Sequence, residues 1–73
     1  MAANLFESDT LALLKTAQDS ELHLSGLYAE IAKNVADPAL QTLIYSMAGD
    51  AYGHFRILAI ALMADPQRRK SNR

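Results

Sequence analysis

The sequence predicts an all-α protein: a two-helix antiparallel hairpin whose leftover apolar surface pairs with a second copy to close a four-helix bundle. Three observations predict it. Apolar residues recur at steps of three and four along two long stretches, Asp37-Pro38 punctuates the chain between them, and Asp65-Pro66 closes the second. The chain has 73 residues, 51% of them hydrophobic, so it is one small domain with too much apolar content for a disordered segment. A hairpin of this length has a single internal interface, too little for a self-sufficient core, and the missing burial is expected from another copy, another protein or a metal. The domain spans residues 1–66, followed by a basic flexible tail over 67–73.

Helix one is expected over about residues 9–35. Asn4 with Glu7 three residues on fits a capping box, and Ser8 and Asp9 are equally good caps. Gly26 weakens the helix interior by about 1 kcal/mol relative to alanine without ending it. Its heptad seam reads Leu14, Ala17, Glu21, Leu24, Tyr28, Ile31, Val35, which places Glu21 in the middle of an apolar stripe, with Leu13 and Leu27 widening it. A carboxylate there is costly unless it is protonated, paired or bound to a cation.

Helix two is expected over about residues 38–64. Asp37 is a favoured N-cap and Pro38 suits the first helical position, where no N–H is needed. Asp65-Pro66 ends the helix by excluding the α conformation before proline and removing a donor. The short connection forces the antiparallel hairpin. Leu40, Leu43, Ile44, Met47, Ala48, Ala51, Phe55, Leu58, Ala59 and Leu62 cover more than one stripe, as suits a helix with two neighbours. Tyr45 and Tyr52 share a different face beside Gly49 and Gly53, either a second contact surface or boundary tyrosines with tolerated glycines.

Composition narrows the functional classes. The chain has no cysteine, which removes disulfides and thiolate ligation. Glu7 and Asp9, with no basic leader before an apolar run, argue against a secretory signal, and the longest apolar run, Ile57 to Ala64, is too short to span a bilayer. A cytoplasmic location is the expectation. A net charge of −1 makes no electrostatic case for nucleic acid across the folded body, and the basic cluster Arg68-Arg69-Lys70-Ser71-Asn72-Arg73 reads as a solvated terminus.

Chemistry is concentrated in three side chains. Asp50 and His54 are spaced i, i+4 and project from one face of helix two. In a hairpin turning near Ala36, positions 21 and 54 lie at similar depth, so Glu21 and His54 can meet. A two-fold would bring two copies of Glu21, Asp50 and His54 to one region, a mixed carboxylate and imidazole set suited to iron, manganese or zinc. A register-fixing ion pair of Glu21 with His54 accounts for the same residues without a metal. His23 falls opposite the seam, and Lys15, Asp19, Glu30 and Lys33 form an ordinary solvated face.

Glu21 followed by Tyr28 and Ala32, the helix start Asp37-Pro38-Ala39-Leu40, and Ser46-Met47-Ala48-Gly49-Asp50-Ala51-Tyr52-Gly53-His54 together resemble the ferritin-like superfamily, which includes rubrerythrins and ferritins. The resemblance covers about residues 10–63. One hairpin per chain is similar to the short encapsulated ferritin-like proteins, whose subunits pair to build the metal site. It implies an iron or manganese centre held between subunits by Glu21 and His54, with Asp50 as a substitute carboxylate from a neighbouring position and Tyr28 beside it, and ferroxidase, iron-storage or peroxide chemistry. The family's second-helix glutamate would stand three residues before His54. This chain has Ala51 there and Asp50 one position earlier, so the resemblance implies equally a degenerate member serving as a structural or interaction module.

Overall fold

The computed structural model describes residues 5–66. Over these residues the protein is all-helical: α1 (Ser8–Lys33) and α2 (Pro38–Ala64) pack against each other as an antiparallel pair. With 26 and 27 residues, each is about 40 Å long at about 1.5 Å per residue.

The helix ends follow from local chemistry. Glu7, in extended backbone, stands at the N-cap of α1 without a side-chain cap, and its carbonyl accepts the first helical bond from Leu11 at 2.8 Å. Of the three predicted caps, Ser8 and Asp9 lie inside the helix and Asn4 lies outside the described residues. Asp9 in the first turn and Lys33 in the last both complement the helix dipole. The helix stops at Lys33, two residues before the expected end, because Asn34 leaves helical geometry at ψ 4° and its side-chain amide donates to the Glu30 carbonyl at 2.9 Å. At α2 the expectation holds: Asp37 accepts from the Leu40 N–H at 2.8 Å, Pro38 occupies the first turn, and Asp65 turns extended ahead of Pro66.

The helix-one seam differs from the apolar heptad in a specific way. The α1 residues that are at least partly buried are Leu11, Leu14, Gln18, Glu21, Ser25, Tyr28, Ala29 and Ala32, while Ala17, Leu24 and Ile31 are exposed. The stripe is turned by one residue towards Gln18, Ser25 and Ala32. Small side chains explain the choice. Ala32 is fully buried, and it works with buried Ala48 and Ala51 of α2 to bring the two backbones close. Two side-chain bonds to backbone then fix the register: Ser25 Oγ donates to the Ala48 carbonyl at 3.0 Å and Gln41 Nε2 to the Ala32 carbonyl at 2.9 Å. The larger apolar residues remain on the neighbouring face. Leu13, Leu24, Leu27 and Ile31 of α1 are exposed, as are Leu40, Leu43, Met47 and Ile57 of α2.

Gly26, Gly49 and Gly53 all have negative φ, and a Cβ on any of them would meet nothing within 4 Å. Within the chain they permit no close approach; Tyr52, on the Tyr45 face, instead tilts against Phe55 with ring centroids 5.5 Å apart. Gly26→Ala is therefore expected to stabilise the protein by about 0.5–1 kcal/mol through the entropy of the unfolded chain. A thermal melt with an unchanged or lowered midpoint would contradict that account of Gly26.

Candidate functional site

The two polar positions expected at equal depth do meet. His54 Nδ1 lies 2.9 Å from Glu21 Oε2, a contact between helices across 33 residues of sequence. Its height is set by the Ser25 and Gln41 bonds described above, and its orientation by the turn of α1 that places Ser25 rather than Leu24 against α2. Within one chain this pair sits at the rim of the helix interface rather than in its interior: the imidazole is 60% exposed and the carboxylate 26%. The expectation that Glu21 faces a bundle interior is thus met only halfway by a single hairpin. At such exposure the contact contributes on the order of 0.2–1 kcal/mol, so stability alone gives little reason for it.

Around the pair lies an open cleft of about 300 Å³ lined by Glu21, Leu24, Tyr28, Met47, Asp50, Ala51 and His54. All four predicted site residues border it. Tyr28 is partly buried, and its hydroxyl makes no hydrogen bond among the described residues. Asp50 shares the cleft but does not complete a three-donor group: among the described residues no three His, Asp or Glu side chains gather closely enough to hold a metal ion. Ala51, three residues before His54, is buried and borders the cleft.

Leu24 and Met47 were legible as apolar positions but not as cleft walls. Met47 stands one turn before Asp50 and two before His54, the spacing that places all three on one side of a helix, and this signal was available in the sequence. Lys15, Asp19, Glu30 and Lys33 form a solvated face, with Glu30 and Lys33 in an exposed ion pair at 3.2 Å, and His23 is exposed as well.

The cleft lies midway along the hairpin and is bordered at both ends by uncovered apolar side chains. Towards the turn are Ile31, Leu40 and Leu43, and towards the open end Leu13 and Ile57. An apolar surface of this extent with a polar centre is unusual on a lone small protein. Chemically, carboxylates with an imidazole are the donor types that suit a borderline divalent cation, but among the described residues they do not gather into a group that could hold one. The chain matches no family model, no curated protein and no solved structure. No helix among the described residues is long and apolar enough to cross a membrane.

Proposed function

We propose that two copies of this hairpin close face to face into a ferritin-like four-helix bundle and hold iron or manganese between them, with Glu21, Asp50 and His54 of each chain around the site and Tyr28 alongside. One observation carries the reading. The only interhelical ion pair among the described residues, Glu21 with His54, stands together with Asp50 at the centre of the uncovered apolar face. A two-fold through that centre buries the apolar borders and gathers four carboxylates with two imidazoles. Four carboxylates sealed from water repel one another, and a bound divalent cation is the simplest compensation. The ferritin-like resemblance of residues 10–63 points the same way. When bound, the metal would supply redox or Lewis-acid chemistry towards dioxygen, a peroxide or further iron. The chain's own contribution is to supply oxygen and nitrogen donors, to exclude water with Leu24 and Met47, and to place a phenol beside them.

A second reading has its own support. Ala51 is buried where the family carries a glutamate, and the Glu21–His54 contact satisfies both groups without a cation. On that reading the hairpin is a structural or interaction module of the same architecture. Elemental analysis of the purified protein, followed by anaerobic titration with Fe(II) and Mn(II), separates the two. Metal retained or taken up by the parent and lost in His54→Ala supports the metal site. A parent that carries none and binds none leaves the module.

A further inference from the structure

We propose that the side of the hairpin opposite the cleft is a docking surface for a third helix, an acidic amphipathic helix of a partner protein. The proposal stands apart from the metal reading, because a second copy closing over the cleft would leave this side uncovered. Its location follows from the seam. Glu21 and His54 lie to one side of the line marked by the Ser25 and Gln41 bonds, and at about 100° per residue the positions a quarter-turn to the other side are defined. Four large apolar side chains fall there, Leu22 on α1 and Tyr45, Tyr52 and Met63 on α2, and all four are exposed. In the register of the Glu21–His54 contact Leu22 is level with Tyr52, and Gly26 is level with Gly49. A Cβ on either glycine would meet nothing within 4 Å. The two are among the least favourable residues a helix interior can carry, and they serve no contact inside the chain. On this surface they leave a low floor between the walls, where a partner's side chain can seat.

Charge selects the occupant. By the same rotation every lysine and arginine among the described residues, Lys15, Lys33 and Arg56, falls along this side, whereas Glu21 and Asp50 border the cleft on the other. Asp19 and Glu30 lie further round α1, beyond the lysines. A partner that covers the four apolar side chains therefore meets cations along both edges, and acidic residues beside its own apolar stripe complement them. The shape calls for a helix. Two antiparallel helices leave a shallow groove along their shared length, which an amphipathic helix fills with apolar anchors at steps of three and four. The Tyr52 ring is already tilted against Phe55 with centroids 5.5 Å apart, so this anchor gives up little freedom on docking. Three cations spread along a chain of net charge −1 are too few for a phosphate backbone, and they suit a protein partner better.

The full chain is tested by fluorescence anisotropy with two labelled three-heptad peptides that carry leucine at the a and d positions, one with glutamate and the other with lysine at e and g. The glutamate peptide should bind at least about tenfold more tightly than the lysine peptide, and Lys15→Glu with Arg56→Glu should reverse that preference. Leu22→Ser with Tyr52→Ser should weaken the glutamate peptide by about tenfold or more. Leu13→Ser, on the cleft side, should stay within about threefold of the parent. Gly49→Met fills the groove floor and should weaken binding without lowering the melting midpoint, which tells a loss of docking from a loss of fold. Equal affinity for the two peptides, or a preference that Lys15→Glu with Arg56→Glu leaves unchanged, overturns the proposal. It falls equally if a single-stranded DNA oligonucleotide, or vesicles rich in phosphatidylserine, bind more tightly than the glutamate peptide and lose that binding in the same double variant; the surface then belongs to nucleic acid or to a membrane. Uptake of Fe(II) or Mn(II) bears on the cleft alone, so the two readings fail separately.

Discussion

On the proposed face-to-face pairing, Ile31→Glu combined with Leu43→Glu is expected to leave a monomer with little residual helix where the parent sediments as a dimer. These residues lie at similar height near the closed end of the hairpin, at the register set by the Gln41 and Ser25 bonds, and both are exposed in the single chain. If the chain stood alone, two glutamates here would be nearly silent, since exposed substitutions away from special features change stability by at most about 0.5 kcal/mol. In a face-to-face dimer each position is buried twice. At about 1.5–3 kcal/mol per buried aliphatic side chain, the four losses come to on the order of 6 kcal/mol or more, about four orders of magnitude in dissociation constant. The added charges, facing one another without partners, deepen the loss. Because the hairpin's own core is little more than Ala32, Ala48, Ala51 and Leu62, a chain deprived of its mate has little to hold it folded. Sedimentation velocity and circular dichroism read both effects. A variant that sediments and melts like its parent would mean that this face is not where copies meet.

The same face explains which parts of the structure could be read from the residues. Both proline-marked boundaries were legible, because Asp37-Pro38 and Asp65-Pro66 act through local sterics that no tertiary contact overrides. The meeting of Glu21 and His54 was legible too, since a short connection and a fixed rise per residue leave little freedom in their relative height. The seam was not. Hydrophobic periodicity picks out the stripe of recurring apolar residues that includes Ala17, Leu24 and Ile31, and in this hairpin those positions lie outside the intrachain contact. Two helices that must pack closely select small groups instead, and Ser25 and Ala32 were hidden from a pattern search by being polar or modest in size. Asp50 was ambiguous for a related reason. One residue on a helix is about 100° of rotation, so its distance from the Glu21–His54 pair depends on side-chain placement that spacing alone does not define.

Leu62→Ala is expected to cost about 2–5 kcal/mol, the range for a fully buried leucine reduced to alanine. Leu62 is 1% exposed, and among the described residues it is the largest apolar side chain that is completely buried. Its position makes the loss severe. At the closed end the helices are held by the turn, the Asp37 cap and the Gln41 bond, and along the middle by the alanine contacts. The open end has no covalent link, and Leu62 supplies the buried aliphatic bulk there. Against the small total stability of a chain this short, such a loss would lower the melting midpoint by on the order of 10 °C or more. It should also strip hydrogen-exchange protection from the first half of α1 before the region around Ala32 is affected. Met63 provides the control, because it is adjacent in sequence, 60% exposed and on the side of α2 away from the cleft. Met63→Ala should stay within about 0.5 kcal/mol of the parent. Equal melting midpoints for the two variants would show that the open end is not held by Leu62, and that the hairpin draws its stability from the alanine seam instead.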